Sequence, residues 1–119
     1  MLKFICADLD ARPLFWTENN KRFGFEPEIA QEIAKEIGKE LQWVFLKWAD
    51  FSTYLLSGKA DAIMCGSAIT SEREKKFLYT KPYAYFNESV LIRSEDRYEK
   101  PEDFQGKVLG AIHESTNMA

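Results

Sequence analysis

The chain has 119 residues, a formal net charge of −3, 45 % apolar and 29 % charged residues. That is one domain's length, apolar enough to bury a core and to exclude disorder. Its Lys and Arg residues are dispersed, which excludes a phosphate-binding basic face, and no apolar run is long enough to span a bilayer.

The N-terminal segment is too short and too soon polar for a signal peptide. Either the chain is cytoplasmic, or Met1 stands where an export signal was removed. Leu2 to Ala7 reads as a buried strand ending at Asp8. A loop over 8–13 follows, and the polar stretch 17–24 suggests a hairpin-like excursion. Ile29, Ile33 and Ile37, with Ala30 and Ala34 beside them, give one apolar helical stripe. Pro27 suits the first turn of that helix and Gly38 its C-terminal cap. Glu28, Gln31, Glu32, Lys35, Glu36 and Lys39 are expected to face water.

Residues 41–48 read as a second strand. Asp50 is expected to cap a short helix over 51–57, ended by Gly58. Residues 60–65 read as a third strand. Ser71 and Glu74 make a capping box opening a short helix to about Phe77. Residues 84–93 read as a strand, 94–100 as a charged linker, 101–105 as one helical turn and 107–112 as another strand. Ser115-Thr116-Asn117 opens a further helix. Alternating strands and helices imply βαβ units and a mostly parallel sheet. Cys6 and Cys65 fall in core strands and fit no zinc or Cys-x-x-Cys pattern. They are either two reduced, buried thiols or, if their strands are neighbours, a disulfide.

Three stretches carry a resemblance. Gly24-Phe25-Glu26-Pro27-Glu28-Ile29-Ala30 is similar to a Gly-Phe-Asp-x-Asp-Leu-Ala helix opening. Trp48-Ala49-Asp50-Phe51, followed by Leu55-Leu56-Ser57-Gly58-Lys59-Ala60-Asp61, looks like an aromatic, a short helix and Leu-x-Ser-Gly-Lys-x-Asp. Gly66-Ser67-Ala68-Ile69-Thr70-Ser71-Glu72-Arg73-Glu74-Lys75, then Tyr79-Thr80-Lys81-Pro82-Tyr83, resembles Gly-x-x-Ile-Thr-x-Glu-Arg-x-Lys and Phe-Ser-x-Pro-Tyr. In this order and spacing the chain resembles the first half of a bacterial extracellular solute-binding protein of family 3. The tail from Pro101 to Gly110 extends the match.

The resemblance implies a type II periplasmic-binding-protein-like α/β lobe, a mostly parallel sheet flanked by helices, truncated in the second lobe. Residues 1–93 would form the N-terminal part of the first lobe, 94–100 the hinge, and 101–119 the incomplete start of the second. It implies capture of a small polar amino acid or related solute in an interlobe cleft, without cofactor or metal, for delivery to a membrane ABC transporter permease. The location implied is periplasmic or extracellular. A possible further partner is a second copy, through exchange of the C-terminal segment.

In open α/β sheets, ligands lie beyond the carboxyl ends of the strands. Asp8, Trp48 and the loop from Gly66 to Arg73 fall there. Arg73 is the leading candidate. A guanidinium grips a carboxylate through two parallel hydrogen bonds, and a cation in a helix's first turn gains from a bound anion. Family members use this Arg for the ligand's α-carboxylate. Trp48 can stack on the ligand, and Asp8 can meet an ammonium, guanidinium or amide. Gly66 lets a ligand approach the backbone. Ala68 stands where many relatives carry a hydroxyl, so that donor is lacking. Ser115 and Thr116, at a helix N-terminus, would help hold the carboxylate, with Glu114 a departure from the usual Gly. His113 reads as a surface or hinge residue. Two other functions compete with transport: a cyclohexadienyl-dehydratase-like enzyme and the ligand-sensing domain of a receptor. No Ser-His-Asp set, metal cluster or carboxylate pair supports catalysis, so no catalytic residue is assigned.

Overall fold

The computed structural model describes residues 1–85 and 89–111, which divide into two compact units, Met1–Ile69 and a second beginning at Thr70. In the first unit, β1 (Leu2–Ala7) is the central strand of a three-stranded parallel sheet. It pairs along its whole length with β4 (Leu41–Leu46), from Leu2 opposite Leu41 to Ala7 opposite Leu46. On its other side lies β5 (Ala62–Ile63). The third strand expected over 60–65 forms a ladder only at those two residues. Hydrogen bonds from Asp61 N to Lys3 O (2.9 Å) and Met64 N to Ile5 O (3.0 Å) extend it at both ends. The chain therefore leaves β1 for one flank through a helix and reaches the other flank through a second helix. This is the βαβ arrangement that the alternation of elements implies.

The excursion over 17–24 is a hairpin of β2 (Trp16–Glu18) and β3 (Lys21–Phe23), with Trp16 stacked on Phe23 at 6.1 Å. Asn19 and Asn20 turn it with φ of 51° and 61°, the two positive values of a type I′ turn. Glycine adopts the second position at less cost than Asn. Asn20→Gly is expected to raise the unfolding free energy by about 0.5 kcal/mol, checked by urea denaturation.

Helix α1 (Phe25–Glu36) starts and stops where Pro27 and Gly38 indicate. Gly38, at φ 67°, donates to Lys35 O (3.2 Å), and Lys39 N donates to Ala34 O (2.9 Å). These are the two bonds of a Schellman cap, which satisfies carbonyls the helix leaves over. Only part of the expected stripe is buried, with Ile29 packed against the core beside the two alanines. Ala30 and Ala34 are fully buried, whereas Ile33 and Ile37 are 38 % and 51 % exposed. The helix turns its smallest side chains to the sheet and so lies close against it. Glu26 is on the same line, four residues before Ala30, and is completely buried.

Two core clusters result. One joins Leu2 and Phe4 of β1 to Ala30, Ala34 and Met64. The other joins Ile5, Cys6 and Ala7 to Phe15, Phe51, Ala60 and Cys65. Phe51 opens helix α2 (Phe51–Leu56), which continues directly from a 3₁₀ turn at Trp48–Asp50. Asp50 precedes α2 but makes no side-chain capping bond, because its own backbone is already helical (φ −93°, ψ −6°).

In the second unit, α3 (Ser71–Glu74) is capped by Thr70, not by the expected Ser71–Glu74 box. Thr70 is extended (φ −126°, ψ 154°), and its hydroxyl accepts from Arg73 N at 3.1 Å. Residues 101–104 form a 3₁₀ turn, and Tyr98 stacks on Phe104 at 4.7 Å. Asp103 accepts from the backbone N–H groups of Glu99 (2.8 Å) and Lys100 (3.0 Å), which hold its carboxyl below the usual range. The strands expected over 84–93 and 107–112 are not formed among the described residues. Val90, Leu91 and Val108 are exposed. An apolar run becomes a strand only when a neighbour accepts its backbone ladder. Among the described residues, no helix is long and apolar enough to cross a membrane.

Candidate functional site

The carboxyl ends of β4, β1 and β5 lie side by side, in that order. Asp8 follows β1, the 3₁₀ turn with Trp48 follows β4, and Gly66 follows β5 by three residues. The fold thus carries Asp8, Trp48, Gly66 and Ala68 to one edge of the sheet, where strand order reverses about β1. Such a switch point is where open α/β sheets bind ligands.

The four residues differ in what they touch. Asp8 is exposed and lines an open recess of about 490 Å³ with Asp10, Lys21, Arg22, Trp43 and Phe45. Trp48 is half-buried against the second core cluster, its ring 4.8 Å from that of Phe51 and tilted by 42°. Gly66 has φ 58°, and its N–H donates to Glu26 Oε2 at 3.0 Å. That amide is therefore engaged by the protein itself. Ala68 is half-buried and brings only a methyl group.

Arg73 belongs to the second unit. It sits half-buried in α3, and its guanidinium donates to the Tyr79 hydroxyl. Partial burial pushes the Tyr79 phenol up, and the neighbouring Arg73 opposes that rise. Ser115 and Thr116, with His113 and Glu114, lie outside the described residues.

Two residues not singled out from the sequence organise this edge. Glu26 is one, through its bond to Gly66. Its one trace in the sequence is its place four residues before Ala30, which does not reveal the partner at Gly66. Arg22 is the other. It donates to Ala7 O (3.0 Å), Leu9 O (3.2 Å), Thr17 Oγ1 (2.9 Å) and Cys6 Sγ (3.0 Å). It also lies over the rings of Phe15 (4.6 Å) and Phe45 (5.1 Å). Only its place opposite Thr17 in the hairpin hinted at this.

Arg22 touches a pair of buried thiols. Cys6 and Cys65 are both free in this structure. The Cys65 S–H donates to Cys6, which lowers the Cys6 thiol; the Arg22 guanidinium lowers it further, against the effect of burial. Donation to Cys6 and burial push Cys65 well up, while Ala7 N, donating to Cys65 Sγ at 3.2 Å, opposes this. Among the described residues, no three metal-ligating side chains gather.

The model of the bacterial extracellular solute-binding proteins, family 3, matches residues 4–117. The chain belongs to this family. Among relatives of this family-3 chain, a probable amino-acid-binding protein of Bacillus subtilis (YxeM) is 33 % identical over 101 residues, covering 84 % of this chain and 38 % of that protein. The arginine-bound form of domain 1 from TmArgBP, of T. maritima, superposes with a TM-score of 0.64 at 34 % identity, over 69 % of this chain and 65 % of that one. An ancestral amino acid-binding protein, AncCDT-1, described as a precursor of cyclohexadienyl dehydratase, superposes with a TM-score of 0.65 at 32 % identity, over 70 % of this chain and 37 % of that one. Curated relatives carry the names of amino-acid-, histidine-, arginine- and cystine-binding proteins, not of enzymes. The chain spans well under half the length of these relatives, 38 % of the first and 44 % of the second.

Proposed function

We propose that this chain contributes to the binding of a small amino acid, without catalysis, for delivery to a membrane ABC transporter permease. The observation that carries this is the placement of Asp8, Trp48, Gly66 and Ala68 beyond the carboxyl ends of adjacent parallel strands at a switch point. In this reading Arg73 grips the ligand's α-carboxylate, with Ser115 and Thr116 adding donors. Asp8 meets a positive or amide group, and Trp48 stacks on the side chain. Residues 1–93 serve as part of a first lobe, 94–100 as a hinge and 101–119 as the start of a second lobe. The setting is periplasmic or extracellular. Relatives named as binding proteins for amino acids support the ligand class. A domain 1 with arginine bound supports binding by one lobe of the family.

The test is calorimetry of the chain against an amino-acid panel. One amino acid is expected to bind. Arg73→Ala should weaken it by about 30-fold, the worth of a charge-assisted bidentate contact, and Arg73→Lys by less. Unchanged affinity in Arg73→Ala would remove Arg73 from the site. The superposition on a dehydratase precursor favours a second reading, in which prephenate or arogenate is turned over; product formation in the same samples would establish it. In the binding reading two copies can also exchange their C-terminal segments. Light scattering on a size-exclusion column should then show a dimer, and a monomer alone rejects the exchange.

A further inference from the structure

We propose that Cys6 and Cys65 are a disulfide-forming pair, a modification site that staples the end of β1 to the residue before Gly66, with a low-molecular-weight disulfide as oxidant. Cys6 lies in β1, and Cys65 lies two residues past the end of the neighbouring β5. Ile5 pairs with Ile63, Met64 N donates to Ile5 O at 3.0 Å, and the chain past the ladder brings Cys65 Sγ to Ala7 N, the residue after Cys6. The two sulfurs are already in hydrogen-bond contact. Each is also held from a second direction: Cys6 by Arg22 Nη2 at 3.0 Å, and Cys65 by Ala7 N at 3.2 Å. Closing the bond draws the two sulfurs from hydrogen-bond contact to bonding distance.

Arg22 supplies the rest of the chemistry. A thiolate is the attacking species, and a contacting guanidinium favours it. Both sulfurs are buried, 1 % and 3 % exposed. Arg22, however, also lines the open recess. Turning that one side chain outward admits a small oxidant to Cys6. The Cys6 thiolate attacks one sulfur of the oxidant, breaking its S–S bond and releasing one thiolate. Cys65 then attacks Cys6 Sγ and expels the second thiolate. The protein loses two hydrogens, and the oxidant is reduced to two thiols that carry the two protons. The family's extracellular setting is one in which disulfides persist.

The folded 119-residue chain is equilibrated with oxidised glutathione, alkylated, digested without reductant and weighed. The expected product is a peptide joining Cys6 to Cys65, lighter by two hydrogens. Oxidation should also raise the thermal midpoint by about 10 °C, reversed by dithiothreitol, because the bridge closes a long loop in the unfolded chain. Cys65→Ser should trap a single glutathione on Cys6. Arg22→Gln should slow the first step several-fold while leaving the final product unchanged. Two alkylatable thiols after treatment, with the urea-unfolded chain oxidising in parallel, would overturn the assignment. So would glutathione on both cysteines, or bridges only between copies. None of these results depends on amino-acid binding.

Discussion

Gly24→Ala is expected to abolish folding of the Met1–Ile69 unit. Gly24 precedes α1 with φ 123°, where L side chains are strained. An added Cβ would collide with the Leu14 carbonyl oxygen and lie 2.7 Å from both Leu14 C and Phe15 Cα. These are backbone atoms and cannot turn aside. They are also tied to the helix: Phe25 N donates to Pro13 O (3.3 Å) and Glu26 N to Leu14 O (3.2 Å). The 13–15 segment thus satisfies first-turn donors that no side chain caps. Pushing it away loses those bonds and displaces Phe15 from the core. The cost should be at least about 4 kcal/mol, much of a small domain's stability. Loss of the cooperative thermal transition by circular dichroism checks it. Gly58 is the control. It has φ 78° but nothing within 4 Å of an added Cβ, so Gly58→Ala should cost only about 1 kcal/mol, from strain alone. Equal melts for the two variants would contradict the close approach at Gly24.

Glu26→Ala should cost about 3 kcal/mol, because it strands a partly buried donor and empties space beneath α1. The carboxylate side chain lies wholly inside and accepts from Gly66 N across the first unit. It ties the start of α1 to the loop leading to Ala68. Glu26→Gln keeps an acceptor oxygen of the same reach and should cost only about 1 kcal/mol. Urea midpoints at a common slope would separate the two. If Glu26→Gln proves as damaging as Glu26→Ala, the charge and not the acceptor is what Gly66 requires. If neither loses stability, the bond carries no weight.

Features resting on near neighbours were legible in the residues. Pro27 and Gly38 bound α1 because a missing N–H and a left-handed backbone act on the turn that contains them. The run from Leu2 to Ala7 reads as a buried strand for the same local reason. Caps were read less well. Asp50 and Ser71 both have the right chemistry, but the cap goes to the residue with an extended backbone, which is Thr70 at α3. The apolar stripe of α1 had the right period, but its Ala edge and Ile29, not Ile33 and Ile37, meet the core. Ile29, Ile33 and Ile37 recur every four residues, and so do Glu26, Ala30 and Ala34. Period cannot choose between them; close packing against the sheet can.

At the candidate site, Asp8, Trp48, Gly66 and Ala68 were readable because strand ends follow from strand positions. Arg22 and Glu26 were not. Their partners lie 16 residues away at Cys6 and 40 residues away at Gly66. The amino-acid sequence by itself determined the class of fold, the order of βαβ units and the family motifs, since each is written in short windows. Only the tertiary structure decided which face of α1 is buried, which strand is central and which side chains meet Cys6 and Cys65. Contacts such as Ala7 to Cys65, 58 residues apart, leave no local pattern. They exist because parallel strands joined through helices bring distant segments within one strand spacing.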